Sequence, residues 1–193
     1  TVFIYNKSMK NSYISFFFLI TLLGCSKAIA PVDSALDQQI LHFGNGSEPQ
    51  GLDPHIVTGV PEHHLLIAMC EGLTISNPKG GENLPGVAKS WTISPDGKTY
   101  TFYLQENAKW SNGDQLTASD FVWSWMRILT PSLGSQYPDM LYYVKGAPEY
   151  HQGKTNDFSS VGITAVNDYE LKVELTNATP FFIKLLSHYS TYP

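Results

Sequence analysis

The sequence predicts a domain that mixes helices and strands, either α/β or α+β with a mixed sheet. Three patterns carry this prediction. Strict apolar–polar alternation ends a predicted hairpin at residues 161–175, and a second hairpin is predicted at residues 91–104, where Pro-Asp-Gly separates two alternating runs. Between the hairpins, the apolar spacing of residues 121–129 indicates a helix.

The helix between the hairpins has clear end signals. Thr117 and Asp120 have the spacing of a capping box, with Asp in place of the usual Glu, and Pro131 terminates the helix. A final short helix is expected after Thr179 and Pro180, through residue 186.

The chain before the first hairpin contributes fewer elements. Residues 40–44 are expected to form a strand, which a run of turn-forming residues ends at positions 45–51. A helix is predicted from Pro61 to Met69, because Pro suits the first turn, and Gly72 is placed to end it.

The amino-acid composition limits which classes of function are expected. The 193 residues are 42% hydrophobic and 15% charged, which is ample for a folded core. The net charge is −5 and no cluster of Lys or Arg occurs, so nucleic acid is excluded as an expected partner.

The first 25 residues differ from the rest and read as a secretory signal. Lys7 and Lys10 precede an apolar run at 13–23 that is too short to span a bilayer. Met9 is the predicted natural start, and residues 1–8 lie upstream of it.

The signal ends in Leu22-Leu23-Gly24-Cys25, which resembles the lipobox of bacterial lipoproteins. Cys25 is therefore the predicted lipidation site, which would anchor the protein without spanning the membrane; the alternative is an incidental Cys after an ordinary signal. Residues 26–39 are expected to be a tether. The other cysteine, Cys70, is then unpaired and is predicted to be a buried, inert thiol.

The catalytic and metal-binding inventory is negative. No zinc-protease, serine-hydrolase, phosphate-loop or dinucleotide motif occurs, so no catalytic residue, metal or cofactor is predicted. The best enzyme candidate is His63 and His64 with Glu71, but adjacent histidines face different sides of a helix. They are predicted to be a surface and half-buried pair, and the four tryptophans are expected in the core.

Several blocks in order resemble the oligopeptide-binding proteins of bacterial ABC importers, which are solute-binding proteins of family 5. The likeness runs from about residue 40 to residue 193. Its blocks are residues 46–55, 59–62, 71–73, 85–91, 100–104, 108–113 and 117–125, and the last of these is especially close to the family pattern.

This resemblance implies an α/β fold of the periplasmic-binding-protein type, in its three-domain version. Residues 40–70 would supply the first segment of lobe I, residues 71–178 the small extra domain, and residues 179–193 the start of the return to lobe I. The second lobe, which holds the peptide's amino terminus in the family, would not be part of this chain.

The resemblance also implies a ligand site. The backbone of Thr58, Gly59 and Val60 would pair with a peptide as an added strand, and Tyr137 would line the same site. The implied function is extracytoplasmic capture of oligopeptides by a monomer at the cell envelope, for delivery to the membrane permease subunits of an ABC importer. The alternatives are a remnant of an interrupted gene and a secreted metal-dependent hydrolase.

Overall fold

The computed structural model describes residues 30, 33, 35 and 38–193. The chain divides into two compact units, Thr1–Gly44 and Asn45–Pro193. The signal and lipidation predictions, with Met9 and Cys25, lie outside the described residues. None of the helices in the described ranges combines the length and apolar character that a membrane crossing needs.

The described residues of the first unit include no strand. Asp33, Ala35 and Gln38, within the predicted tether, are helical, and residues 40–44 have no regular structure. The strand predicted at 40–44 is therefore wrong. Its side chains are open to solvent, with Leu41 88% exposed, and no described strand pairs with this segment, so its backbone has no ladder to join.

The second unit contains six strands. Two short strands, β1 (Thr74–Ile75) and β2 (Leu84–Pro85), pair with each other. The main sheet contains β3 (Ala88–Ile93), β4 (Thr99–Leu104), β5 (Ile163–Asn167) and β6 (Glu170–Glu174) in the order β3-β4-β6-β5. Both predicted hairpins are confirmed. All pairings of this sheet are antiparallel, so the expectation of a mixed sheet is wrong.

Four α-helices accompany the sheets. They are α1 (Val60–Met69), α2 (Ala118–Leu129), α3 (Ala147–His151) and α4 (Phe182–Leu185). Single 3-10 turns occur at Pro131–Leu133, Pro138–Leu141, Phe158–Ser160 and Tyr189–Thr191.

The ends of α2 follow the sequence signals. The Asp120 carboxylate accepts the backbone N–H of Thr117 at 2.7 Å, which closes the predicted capping box. The helix predicted from Pro61 to Met69 is confirmed as α1, which begins one residue earlier. Gly72 does not end it, since α1 stops at Met69; Gly72 instead lies so close to Tyr192 that a Cβ would be 2.5 Å from its ring. The predicted start of the final helix is wrong. α4 begins at Phe182, beyond Thr179.

One face of the main sheet is buried under α2. Phe102 on β4 and Leu171 on β6 are cross-strand partners with no exposed surface, as the alternation predicted. Phe121 and Trp125 of α2 complete this core, which also takes in Phe182 and residue Leu186 after α4. The main core therefore extends past the predicted domain boundary at residue 178; the boundaries themselves stay predictions.

A second, smaller apolar cluster contains Val57, Leu66, Tyr189 and Tyr192, with Tyr137 packed against it. It joins the loop before α1 to the carboxyl-terminal 3-10 turn. All candidate ligand-binding residues lie on or beside this cluster.

Candidate functional site

Thr58, Gly59 and Val60, here termed the 58–60 segment, lead directly into α1. Gly59 is extended, with φ −80° and ψ 157°. Its carbonyl accepts the N–H of His63 at 3.0 Å, so its acceptor faces the helix. Because Gly59 is extended, the Thr58 carbonyl and the Val60 N–H point away from the side to which the Gly59 carbonyl points.

The outward backbone groups of the segment are available to a ligand. Val60 is the first residue of α1, so its N–H is one of the donors that a helix cannot satisfy internally. The Thr58 carbonyl has a single long contact, at 3.5 Å from the Tyr137 hydroxyl. The exposed side chain of Val60, at 66%, leaves this edge open.

Tyr137 is held in place by ring contacts. Its ring meets His188 edge-on at 5.1 Å and Tyr189 at 6.1 Å between centroids. Tyr189 in turn donates its hydroxyl to the Val57 carbonyl at 2.8 Å, immediately before the 58–60 segment. Burial, with Tyr137 adding to it, raises the pKa of Tyr189 to about 12, so the donor keeps its proton.

Glu62 supports the segment from behind. Its side chain is 3% exposed, and one carboxylate oxygen accepts the N–H of Gln50 at 2.6 Å. The other oxygen, Oε2, has no hydrogen-bond partner among the described residues. It lies against Gly59, where a Cβ would be only 1.9 Å away, so any other residue at this position would have to displace the carboxylate.

We expect Gly59→Ala to destabilise the protein by about 1–3 kcal/mol, because the methyl group displaces a buried carboxylate and breaks its bond to Gln50. Urea unfolding measures the change. Gly51→Ala is the matched control in the same loop, because its Cβ would make an ordinary 3.6 Å contact with Val57. Equal stability of the two variants would contradict this role for Gly59.

A polar network anchors the loop to α2. Arg127 binds Asp53 through two hydrogen bonds, at 2.8 Å and 2.5 Å, and donates to Nδ1 of His55 at 2.7 Å. Nδ1 must therefore be unprotonated, so Nε2 carries the proton and donates to Ser124 Oγ at 3.2 Å. The Ser124 hydroxyl donates onward to the Tyr192 carbonyl.

The network fixes the charge states of its members. The hydrogen bonds from Arg127 lower the pKa of Asp53, so its carboxylate is charged. Burial, followed by the neighbouring Arg127 charge, lowers the pKa of His55 from 6.5 to about 4. His55 is thus neutral in the folded protein at pH values where the unfolded chain is already protonated.

We expect the free energy of unfolding to fall as the pH is lowered from about 6.5 to about 4, since only the unfolded state takes up the His55 proton in this window. After allowance for partial screening by solvent, the loss is on the order of 2 kcal/mol. Denaturant unfolding across this range measures it. His55→Gln should flatten the slope, and an unchanged slope in that variant would assign the pH dependence to other groups.

The same loop encloses a hollow of about 430 Å³ beneath the segment. Thr58, Gly59 and Glu62 form part of its wall. It is a concave surface continuous with the open backbone edge.

The structure brings Tyr137 to Thr58 across 79 positions of sequence, and their role in binding a ligand stays a prediction. Sequence reasoning missed Glu62, His188 and the Asp53–Arg127 pair as supports of the site. Only Glu62, an acidic residue in the first turn of a helix, had a local signal; partners more than 70 positions apart leave no pattern in one sequence.

Other sequence-based expectations have mixed outcomes. His63 is half-buried and His64 exposed, as predicted. No three metal-ligating side chains converge within the described ranges.

Cys70 is exposed, so the prediction of a buried thiol is wrong, because α1 buries only Glu62 and Leu66. Trp125 is in the core, but Trp123, on the opposite side of α2, is 59% exposed.

Comparison with known families gives one match by family model. Residues 83–193 match the model of the bacterial extracellular solute-binding proteins, family 5 Middle.

Curated relatives extend this match towards the amino terminus. The chain is 43% identical over 159 residues to the periplasmic oligopeptide-binding protein OppA of Escherichia coli, covering 81% of this chain and 29% of that protein. It is 42% identical over 153 residues to the oligopeptide-binding protein OppA of Bacillus subtilis, covering 79% and 28%. The chain thus spans less than a third of the length of these relatives.

Solved structures agree with the described fold. Haemophilus influenzae OppA in complex with the peptide RPPGFSPFR superposes with a TM-score of 0.73 at 41% identity, over 77% of this chain and 29% of that one. The unliganded open form of the murein tripeptide-binding protein MppA gives a TM-score of 0.71 at 37% identity.

Proposed function

Because the chain belongs to family 5 of the bacterial extracellular solute-binding proteins, we propose that it forms one wall of an oligopeptide site that serves peptide import. The family consists of binding proteins, so no catalytic step and no cofactor is part of the proposal. A peptide lies extended along the 58–60 segment as an added strand, with Tyr137 beside it. In the proposed role, the protein is a monomer in the periplasm and delivers the bound peptide to the permease subunits of an ABC importer.

The observation that carries the proposal is the open backbone edge at Thr58 and Val60. A ligand bound through main-chain groups is recognised largely without regard to its side chains. The hollow beneath the segment supports this mode, because water-filled space tolerates varied side chains.

A pair of variants at Val60 tests whether the backbone binds the peptide. Val60→Pro removes the N–H at the first helical position, where proline is well tolerated, whereas Val60→Ala keeps the N–H and removes most of the side chain. We expect trialanine to shift the Thr58 amide resonance of the unsubstituted chain and of Val60→Ala at millimolar concentrations. Val60→Pro should bind about 2- to 12-fold more weakly, which corresponds to one lost hydrogen bond. Equal binding by both variants would refute main-chain recognition.

The proposal includes a lipid anchor at Cys25, supported by the lipobox pattern that precedes it. In a bacterial host, Cys25→Ala is expected to release the protein from the membrane fraction or to block processing of the signal. Cys70→Ala is the control, because Cys70 lies outside the signal and should leave attachment unchanged. Membrane attachment that persists in Cys25→Ala would exclude lipidation at this residue.

A further inference from the structure

Two imidazoles lie beside the candidate site, on elements far apart in sequence. His63, in the first turn of α1, and His188, at the start of the last 3-10 turn, have ring centroids 6.1 Å apart. Tyr189 contacts both rings, at 5.5 Å from His63 and 4.3 Å from His188. Tyr137, which reaches the Thr58 carbonyl, meets His188 edge-on. The pair therefore borders the 58–60 segment.

Both imidazoles keep donor capacity for a ligand. His188 uses Nδ1 to accept the N–H of Ser190, at 3.3 Å, so the proton of the neutral ring is on Nε2. The His63 ring lies against three other rings, those of His64, His188 and Tyr189. Both side chains are half-buried, so solvent and a ligand reach part of each ring.

We propose that His63 and His188 form a subsite for a carboxylate of the bound peptide. The proposal rests on the peptide-binding function above and adds a preference to it. At mildly acidic pH, a peptide that places a carboxylate beside Tyr137 gains charge-assisted hydrogen bonds, which are stronger than neutral ones.

The charges around the pair support an acid-dependent preference. Burial, followed by repulsion from His63, lowers the pKa of His188, and Asp139 opposes this shift. Glu62 lies behind Tyr189, where its charge helps to raise the pKa of that phenol. A carboxylate bound beside His188 would offset these unfavourable effects on the charged form of His188. By reciprocity, a carboxylate that prefers protonated His188 must raise the pKa of His188.

Glutarate, a small dicarboxylate, is the first probe, with neutral glutaramide as its matched control. The imidazole resonances of the 193-residue chain are followed by NMR from about pH 5 to 8, where histidines titrate. We expect millimolar glutarate to raise the pKa of His188 by roughly 0.5, corresponding to about threefold tighter binding to its protonated form, and to shift the ring resonances of His63. His151, whose ring packs against Tyr142 and lies within hydrogen-bond distance of the Leu129 carbonyl, should not follow. His63→Gln should abolish the response of His188.

Equal responses of all three histidines, or the same response to glutaramide, would overturn the proposal, as would no response. These outcomes are independent of the Val60 test, which reports on the backbone site alone.

The source of the carboxylate is then assigned with two peptides. Acetyl-Ala-Glu-Ala-amide carries only a side-chain carboxylate, and acetyl-Ala-Ala-Ala only a terminal one. If the first peptide shifts the His63 and His188 resonances, the occupant is an acidic side chain. If the second peptide shifts them, the occupant is the carboxyl terminus. If neither peptide shifts them, the subsite does not belong to the peptide site and the proposal fails.

Discussion

The 193-residue chain alone is expected to bind tri- to pentapeptides with millimolar or weaker dissociation constants, which calorimetry would not detect. The candidate contacts, namely the backbone of the 58–60 segment and Tyr137, lie on one side of a ligand. A peptide held there keeps its other face in water. The chain spans 29% of the E. coli relative, so most of that relative's residues have no counterpart in this site.

The size of the effect follows from the number of contacts that one wall cannot make. Several main-chain hydrogen bonds contribute roughly 0.5–1.5 kcal/mol each, and a charge-assisted bond to the peptide's amino terminus contributes more. A combined loss of about 4 kcal/mol weakens binding about 1,000-fold, since each factor of ten is about 1.4 kcal/mol.

The measurement compares this chain with a chimera in which the part of the E. coli relative beyond the matched region follows Pro193. Calorimetry with the same set of peptides should detect micromolar binding by the chimera, with little dependence on uncharged side chains. Val60→Pro in the chimera is the control. Weaker peptide binding by this variant would show that the chimera binds the peptide along the 58–60 segment. Micromolar binding by the 193-residue chain alone would show that one wall is sufficient.

The two hairpins of the main sheet were predictable because their signals are local, whereas the pairing of β4 with β6, which makes the whole sheet antiparallel, joins distant segments and was not predicted. The alternation at Leu171 and Val173 sets the buried face, and the turn at Asp96 and Gly97 sets the first hairpin. Each signal lies within a few residues of the structure that it specifies. The capping box at Thr117 belongs to the same class.

The rest of the site depends on contacts between distant positions. Arg127 reads as an ordinary polar residue of a helix, and its role as the anchor of His55 exists only once the loop folds onto α2. Trp123 and Trp125 illustrate the same limit. Two positions separate them on one helix, so one side chain is buried and the other exposed, and composition alone does not tell which.

Phe182→Ala is expected to lower the free energy of unfolding by about 3–5 kcal/mol, the usual range for removing a buried aromatic ring. Phe182 has no exposed surface, and its ring meets Tyr100 of β4 at 5.2 Å. The Tyr100 hydroxyl donates to the Thr179 carbonyl at 3.1 Å, so the segment before α4 is fixed to the sheet as well. Phe181→Ala is the matched control, because its side chain is 46% exposed and should cost less than about 1 kcal/mol.

The same reasoning decides where the independently folding part of the chain ends. A fragment of residues 71–178, the small extra domain that the family resemblance implies, lacks both Phe182 and Leu186 of the main core. Extending it to residue 187 restores two buried side chains, worth about 5 kcal/mol or more together. We therefore expect cooperative urea unfolding of 71–187 and little or none of 71–178. Hydrogen exchange in the whole chain should also protect residues 161–175 more than residues 40–70, where most large apolar side chains other than Val57 and Leu66 are exposed. Equal stability of the two fragments would show that the carboxyl-terminal segment is not part of this folding unit. Stronger protection at 40–70 would contradict the lower stability expected there.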